Sequence, residues 1–191
     1  MNDWTGNSQA VHAVNQRNAD AAAHDYYATD PLAVELLLQH EIFARDIWEP
    51  ACGQGHISGV LQANGYKVFS SDLIYRGYGS GGVDFLKAED CGLQMDIITN
   101  PPYKYAAEFV NKALDVVARG QKVAMFLKLT FLEGQNRRAL FRMNPPRTVY
   151  VSSARMECGK NGKFTGTSAV AYAWFVWVKG YSGPTELKWI N

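Results

Sequence analysis

The chain has 191 residues, of which 47% are hydrophobic, and its formal net charge is +1. This length and composition predict one folded domain with a sizeable core. No apolar run approaches the ~20 residues of a membrane span, and the polar N-terminus lacks a secretory signal, so we expect a cytoplasmic protein with no membrane partner. Three widely spaced cysteines and four scattered histidines predict reduced thiols and no metal site.

In chain order, the hydrophobic pattern alternates strands and helices, which is typical of a largely parallel sheet covered by helices. Residues 1–25 are rich in Asn, Ala and Asp without an apolar stripe, so we expect an N-terminal arm before a single domain over residues 26–191. Asp30-Pro31 begins the first helix by the usual start signals. We predict further helices over residues 56–64, 105–118 and 134–143, and strands over residues 47–48, 67–71, 95–99, 123–129, 147–151 and 169–178, the last two antiparallel.

A glycine-rich turn follows the first predicted strand, at the position where open α/β sheets bind ligands. Its sequence is Glu49-Pro50-Ala51-Cys52-Gly53-Gln54-Gly55. Gly53 and Gly55 permit a tight turn and close approach of the backbone to a ligand, although a purely structural bend needs the same residues. The chain has no P-loop, and Glu49 would repel a pyrophosphate but can hold the cationic amino acid end of S-adenosylmethionine.

Two acidic residues after the glycine-rich turn are candidates for the nucleoside part of such a cofactor. Asp72, followed by Leu73, ends the second predicted strand, where a carboxylate can bind ribose hydroxyls. Asp84-Phe85 offers a carboxylate for an adenine amine and an aromatic ring for the face of the base. The sequence therefore favours a sulfonium cofactor over a dinucleotide.

The motif Asn100-Pro101-Pro102-Tyr103 follows the third predicted strand. Two prolines fix the backbone and remove two amide donors, so the local carbonyls are left as acceptors. The Asn100 side-chain oxygen and the Pro101 carbonyl can accept the hydrogens of an amine, and Tyr103 can stack on a flat base, a contact worth about 1–3 kcal/mol. A structural proline turn is the alternative, and Asn144-Pro145-Pro146-Arg147, after a predicted helix, is interpreted as one.

The small net charge hides an asymmetry along the chain. Residues 1–118 carry 7 Lys/Arg against 15 Asp/Glu, a charge of −8, whereas residues 119–191 carry 12 against 3, a charge of +9. Such a division favours a polyanion on one side of the molecule, although a solvated basic helix and loop with no partner has the same composition. The candidate phosphate contacts are Arg137, Arg138, Arg142, Lys160 and Lys163.

The two motifs together resemble those of a known enzyme family. Glu-Pro-Ala-Cys-Gly-x-Gly followed by Asn-Pro-Pro-Tyr is similar to the S-adenosylmethionine-dependent amino-group DNA methyltransferases, and within them to the N(6)-adenine enzymes, above all small members carried by phages and prophages. The resemblance covers roughly residues 26–178. It implies the class I methyltransferase (Rossmann-like) α/β fold, with a mostly parallel seven-stranded sheet and a closing antiparallel hairpin, in the cytoplasm of a bacterial host.

The resemblance also implies roles for individual residues. Tyr27-Ala28-Thr29-Asp30-Pro31 is similar to the family's Tyr-x-Thr-Pro, which helps to hold the methionine end of the cofactor, but Asp30 is inserted here. The implied cofactor contacts are Tyr27, Thr29, Glu49, Pro50, Ala51, Cys52, Gly53, Gly55, Asp72, Leu73, Asp84, Phe85 and Asn100. The implied catalytic residues are Asn100, Pro101, Pro102 and Tyr103.

These expectations combine into transfer of a methyl group from S-adenosylmethionine to the 6-amino group of adenine in DNA, with the base flipped out of the duplex. The residues after the fifth predicted strand are too few for a separate target-recognition domain, so recognition would come from the basic loops or from a second subunit in a homodimer. The alternatives are the same chemistry on adenine in RNA or on a protein glutamine. An alternative that is not an enzyme is a non-catalytic methyltransferase-like subunit that binds nucleic acid.

Overall fold

The computed structural model describes residues 26–154, 156–160, 162, 164 and 170–191. The arm expected over residues 1–25 and the candidate phosphate contact Lys163 lie outside the described residues, and so does the side chain of Lys160. The described residues form nine strands and four α-helices. The strands are β1 (Tyr27–Thr29), β2 (Asp46–Glu49), β3 (Lys67–Ser70), β4 (Asp96–Thr99), β5 (Lys122–Lys128), β6 (Thr148–Ser152), β7 (Cys158–Lys160), β8 (Tyr172–Val178) and β9 (Glu186–Ile190), and the helices are α1 (Pro31–His40), α2 (His56–Ala63), α3 (Ala106–Val116) and α4 (Arg138–Met143).

Seven of these strands form one sheet in the order β3-β2-β4-β5-β8-β6-β9, whereas β1 and β7 pair in a separate two-stranded ribbon. Strand β2 pairs in parallel with both β3 and β4, and β4 pairs in parallel with β5. Strand β8 runs antiparallel to both β5 and β6, and β9 runs parallel to β6. This arrangement confirms the predicted α/β fold, with a mostly parallel seven-stranded sheet and a closing antiparallel pair.

Burial on both faces explains why the central strands are continuous apolar runs. Residues 123–127 of β5 and residues 172–177 of β8 are all buried. Helix α3 packs on one face through Phe109, whereas α1 and α2 pack on the other through Leu37 and Leu61. None of the helices in the described ranges is both long and apolar enough to cross a bilayer.

Helix α1 begins at the signals that the sequence predicts. The Asp30 side chain caps the helix by accepting a hydrogen bond from the Leu32 N–H at 2.9 Å. Pro31 occupies the first turn, where a missing N–H costs nothing. The cap therefore lies one residue after Thr29, whose hydroxyl is left for other contacts.

The parallel strands give the sheet two distinct edges. Strands β2, β3, β4 and β5 begin at Asp46, Lys67, Asp96 and Lys122, and we call this side the amino edge. They end at Glu49, Ser70, Thr99 and Lys128, and we call this side the carboxyl edge. Both the glycine-rich turn and the Asn-Pro-Pro-Tyr motif follow strands that end at the carboxyl edge, so the fold brings the two motifs to the same side of the sheet.

The structure also contains elements that the sequence analysis did not predict. Strand β9 has the alternating sequence Glu-Leu-Lys-Trp-Ile, a period-two signal that was overlooked. Strands β1 and β7 are three residues each and exist because they pair across a long separation in sequence. The basic helix predicted over residues 134–143 is a 3₁₀ turn, Gln135–Arg137, followed by the short helix α4. Helix α4 ends at Met143, immediately before Asn144-Pro145-Pro146, which confirms the predicted helix stop.

Candidate active site

A cavity of about 460 Å³ opens at the carboxyl edge, and this volume lies in the range of small-molecule sites, ~300–1,000 Å³. The fold brings most of the predicted site residues to it. The predicted residues that line the cavity are Tyr27, Pro50, Ala51, Asp72, Leu73, Asp84, Phe85, Asn100, Pro101 and Pro102. Tyr26, Ile74, Arg76, Tyr105 and Phe109 also line it and were not predicted.

The glycine-rich turn needs glycine at two positions, because their backbone angles are disfavoured for side chains and because aromatic rings occupy the place of a Cβ atom. Gly53 and Gly55 have φ angles of 53° and 83°, in the left-handed region that side chains disfavour. A Cβ atom on Gly53 would collide with the ring of Tyr26, and a Cβ atom on Gly55 would lie 2.6 Å from the ring of Tyr78. Two tyrosine rings therefore pack on the turn that was predicted to approach a ligand.

The two candidate nucleoside contacts are held in place by backbone amides. Asp72 accepts hydrogen bonds from the Gly53 N–H at 2.8 Å and from the Ile74 N–H at 2.9 Å. Asp84 accepts one from the Leu86 N–H at 3.1 Å, caps the 3₁₀ turn Phe85–Lys87, and forms an ion pair with the exposed Lys87 at 3.2 Å. A carboxylate has about four lone-pair sites, so both acids keep acceptor capacity toward the cavity that they line.

The aromatic neighbour of Asp84 is fixed from behind. Phe85 packs edge-on against Trp48 with ring centroids 5.1 Å apart, and against Phe109 at 5.0 Å. Phe85 is buried in the core cluster and also lines the cavity. Its ring therefore forms a rigid apolar wall of the site.

Glu49 lies deeper, in a small adjoining cavity that Thr29, Cys52 and Asn100 also line. Its side chain is 1% exposed and accepts a hydrogen bond from the Ser58 hydroxyl. Burial raises the pKa of Glu49 to about 8, so its carboxyl group is mostly neutral at pH 7, and a cation bound nearby would favour the ionised form. Burial also raises the pKa of Cys52 to about 12, which keeps this residue a packed thiol.

The amide of Asn100 is held on one side and unpaired on the other. Its Nδ2 donates to the Tyr27 carbonyl at 2.9 Å and to the Thr29 hydroxyl at 3.0 Å, with a longer contact to the Cys158 sulfur at 3.7 Å. Its Oδ1 is buried and has no hydrogen-bond partner among the described residues. A buried acceptor without a partner costs roughly 1–3 kcal/mol, and Asn100 lines the cavity, so this oxygen keeps the capacity to accept a hydrogen bond there.

Tyr103 lies behind this amide and does not line the main cavity. Its hydroxyl is 3.1 Å from the Cys158 sulfur, and its ring lies 5.5 Å from that of Tyr27 and 5.8 Å from that of Tyr172. The Lys128 ammonium lies over the Tyr103 ring at 4.9 Å. Burial, with the neighbouring Cys158, raises the pKa of Tyr103 far above its ordinary value, so this residue is a neutral phenol. Its role as a stacking platform for a base stays a prediction.

The candidate phosphate contacts differ in what surrounds them. The Arg137 guanidinium donates to the carbonyls of Phe131 at 2.7 Å and Thr130 at 3.1 Å, and it lies over the Phe131 ring at 4.9 Å. It therefore ties the 3₁₀ turn before α4 to the segment that precedes this turn. Arg138 and Arg142 are exposed on α4. The backbone of Lys160 pairs with Tyr27 in the ribbon, whereas its side chain and Lys163 lie outside the described residues.

Three residues near the predicted catalytic motif were missed by the sequence analysis. Lys128 ends β5 at the carboxyl edge, so the strand-end signal that singled out Asp72 was present for it too. Cys158 and Tyr172 reach Tyr103 only through the pairing of β7 with β1 and of β8 with β5. No local signal marks them. In the part of the chain that the structure describes, no three His, Cys, Asp or Glu residues are grouped as metal ligands would be.

Comparison with known proteins gives a likeness in structure only. No protein-family model matches the chain, and no curated protein matches it. A TehB-like S-adenosylmethionine-dependent methyltransferase from Corynebacterium glutamicum shares the fold with a TM-score of 0.53 and 15% identity, over 89% of this chain and 97% of that one. A protein proposed as an RNA methyltransferase from Pyrococcus horikoshii has a TM-score of 0.58 and 14% identity, over 83% and 89%.

The third comparison is with the modification subunit of a proposed type I restriction enzyme from Vibrio vulnificus. It has a TM-score of 0.53 and 14% identity, over 93% of this chain and 49% of that one, so the chain spans about half of that subunit. The chain has the fold of the class I S-adenosylmethionine-dependent methyltransferases.

Proposed function

We propose that this protein transfers a methyl group from S-adenosylmethionine to the exocyclic 6-amino group of adenine in DNA. The observation that carries the proposal is the buried Asn100 Oδ1, which has no partner among the described residues although its amide nitrogen is held by Tyr27 and Thr29. An aromatic amine brings two hydrogens to this oxygen. An acceptor for one of them makes the nitrogen lone pair more available to the methyl carbon.

A second acceptor for the amine is the Pro101 carbonyl, as the motif predicts. The neighbouring Pro102 carbonyl accepts a hydrogen bond from the Tyr105 N–H at 2.8 Å and is already used by the turn. Neither acceptor is charged, so the site favours a neutral amine. Catalysis by such fixed acceptors depends on positioning, and the amine proton is lost to water after the transfer.

The residues around the main cavity fit S-adenosylmethionine. Asp72 and Asp84 offer acceptors for ribose hydroxyls and for an adenine amine, and Phe85 offers an apolar wall. Glu49 offers a buried carboxyl group for the ammonium of the methionine end. When bound, S-adenosylmethionine supplies an electrophilic methyl group, whose bond to sulfur breaks as the acceptor nitrogen bonds to it.

DNA is favoured as the acceptor by the charge of the chain and by the resemblance of its motifs. Residues 119–191 carry a charge of +9, and Arg138 and Arg142 are exposed on α4, as contacts to a polyanion would be. The paired motifs are similar to those of N(6)-adenine DNA methyltransferases. An adenine amine inside a duplex is out of reach, so the target base would be flipped into the site.

Tritiated-methyl transfer from S-adenosylmethionine tests this proposal. The purified protein is incubated with duplex DNA, single-stranded DNA, RNA or a glutamine-containing peptide, and the products are digested to nucleosides or amino acids. We expect label in DNA, and after digestion this label should be recovered as N(6)-methyl-2′-deoxyadenosine. Label only in RNA, or only in the peptide glutamine, would contradict the DNA proposal, and the absence of label from all four substrates would favour a non-catalytic subunit.

A further inference from the structure

Asn100 can present Oδ1 to an amine only if its side-chain amide is held in one orientation and in one position. We propose, on the basis of the function proposed above, that Thr29 is a positioning residue: its hydroxyl binds the amide nitrogen of Asn100 and thereby aims Oδ1 at the amine to be methylated. This role differs from the one that the family resemblance implies, in which Thr29 helps to hold the methionine end of the cofactor.

The contacts of the Asn100 side chain define its orientation. The two hydrogens on Nδ2 have two acceptors, the Tyr27 carbonyl at 2.9 Å and the Thr29 hydroxyl at 3.0 Å. Turning the amide over would place Oδ1 against the Tyr27 carbonyl, and two acceptors would then face each other. Thr29 is 2% exposed, so bulk water does not reach its hydroxyl to replace it. The Tyr27 carbonyl therefore selects the amide orientation, and the Thr29 hydroxyl, as the second acceptor, holds Nδ2 in its position.

The sequence around Thr29 explains why its hydroxyl is available. In a Thr-Pro sequence at the start of a helix, the threonine side chain is placed to cap the helix. Here the inserted Asp30 takes the cap, because its carboxylate accepts the Leu32 N–H at 2.9 Å. The insertion thus separates two tasks: Asp30 caps α1, and Thr29 contacts Asn100.

The backbone of Thr29 is fixed independently of the helix. Strand β1 pairs with β7 in antiparallel register, and Thr29 is opposite Cys158. The Cys158 sulfur also lies 3.7 Å from the Asn100 amide nitrogen and 3.1 Å from the Tyr103 hydroxyl. The ribbon therefore holds Thr29 beside Asn100, and it brings Cys158 to both Asn100 and Tyr103.

A set of threonine variants tests the proposal. Thr29→Val removes the hydroxyl and keeps the shape, whereas Thr29→Ser keeps the hydroxyl. Thr99→Val is the matched control, because Thr99 is also buried and precedes Asn100, but its hydroxyl has no hydrogen-bond partner among the described residues. For each variant the affinity for S-adenosylmethionine is measured by calorimetry, and the single-turnover rate is measured with saturating cofactor and DNA.

We expect Thr29→Val to slow methyl transfer by about tenfold to a hundredfold while its cofactor affinity stays near that of the wild type. Thr29→Ser and Thr99→Val should transfer at nearly the wild-type rate. A Thr29→Val variant with the wild-type rate would overturn the proposal. Weaker cofactor binding with a normal rate at saturation would also overturn it, because Thr29 would then act on the cofactor.

A second measurement does not depend on methyl transfer. In protein labelled with ¹⁵N at asparagine, the side-chain NH₂ of Asn100, assigned by its absence in Asn100→Ala, should exchange slowly with water in the wild type and in Thr29→Ser. Thr29→Val, or Thr29→Ala where the valine variant does not fold, should lose this protection. An unprotected NH₂ in the wild type would overturn the proposal. Protection without any methyl transfer by the wild type would instead count against the proposed function alone.

Discussion

Polar side chains at the amino edge and at the carboxyl edge of the parallel strands differ in how completely they are hydrogen-bonded. At the amino edge Glu41 is 4% exposed and is bound by Lys122, Arg147 and Tyr150. Asp96 at the same edge accepts two backbone N–H groups, at 2.6 and 2.7 Å. Both of these buried acids are bound by groups of the protein itself, so they stabilise the fold.

The carboxyl edge is built from similar residues that are left with unused capacity. Asn100 Oδ1 has no partner among the described residues, and Asp72 and Asp84 line a cavity. Glu49 is buried and bound by the Ser58 hydroxyl, and its pKa is raised, whereas that of Glu41, which is bound by two basic side chains, is lowered. The comparison teaches that acids of the same type differ in their surroundings: those at the amino edge are bound by the protein, whereas Asp72 and Asp84 line a cavity in which a ligand can use them.

The same contrast separates the two Asn-Pro-Pro segments. Asn100-Pro101-Pro102 follows β4 at the carboxyl edge, and all three residues line the cavity. Asn144-Pro145-Pro146 ends α4 and leads to the start of β6, and the Asn144 carbonyl accepts a hydrogen bond from the Trp177 indole at 3.0 Å. One tripeptide therefore forms part of the candidate site, and the other ends a helix.

The largest effect is expected from exchanging the two asparagines for alanine. Asn100→Ala removes the acceptor for the amine and should slow methyl transfer by roughly a hundredfold to a thousandfold, with most of the cofactor affinity retained. Asn144→Ala should leave the rate nearly unchanged, because only its backbone carbonyl makes the contact to Trp177. Single-turnover rates at saturating cofactor measure both. If the two variants transferred the methyl group at equal rates, the assignment of Asn100 as the acceptor for the amine would be wrong.

The acids of the two edges give the next largest difference. Asp72→Ala and Asp84→Ala should each weaken S-adenosylmethionine binding by about tenfold to a hundredfold, because a hydrogen-bond partner of a buried ligand is lost. Glu41→Gln should keep the cofactor affinity and lower the melting temperature, because Lys122 and Arg147 lose their charged partner. Calorimetry and thermal unfolding separate the two cases. Wild-type affinity in both aspartate variants would refute their assignment to the cofactor.

The two buried glutamates should make stability depend on pH in opposite directions. Burial raises the pKa of Glu49 to about 8. The contribution of its carboxyl group to the free energy of unfolding is therefore full below about pH 4.5 and is lost as the pH rises toward 8. Burial acts to raise the pKa of Glu41 too, but hydrogen bonds from Lys122, Tyr150 and Arg147 hold it below its ordinary value. Its contribution is full at neutral pH and is lost as the pH falls below 4.5.

Denaturant unfolding from pH 4 to pH 9 measures both contributions. Glu49→Gln should remove a decline of at most about 1.4 kcal/mol per pH unit between pH 5 and pH 8. Glu41→Gln should flatten the acid side of the profile instead. If Glu49→Gln changed the acid side of the profile, or if neither substitution changed the profile, the opposite pKa shifts of the two glutamates would be contradicted.

The sequence predicts the carboxyl edge well and its internal contacts poorly. Asp72 and Asn100 were found because each follows an apolar strand, and parallel strands end at one edge. The hold of Thr29 on Asn100 and the approach of Cys158 depend on the pairing of β1 with β7, which no local pattern encodes. Basic composition also cannot tell Arg137, which binds backbone carbonyls, from Arg138, which is exposed. Strand ends are local in sequence, whereas hydrogen-bond partners are not.

The smallest effect concerns the arginines. If Arg138 and Arg142 contact phosphates, replacing each by glutamine should lower the slope of log affinity for DNA against log salt by about 0.9, without changing cofactor affinity. Arg147→Gln is the matched control at the amino edge: its guanidinium is bound to Glu41, so the slope should stay constant while the melting temperature falls. Fluorescence anisotropy with labelled duplex DNA at several salt concentrations measures the slopes. A wild-type slope near zero would mean that exposed arginines on α4 are only a solvated surface, and the electrostatic argument for a DNA acceptor would then be lost.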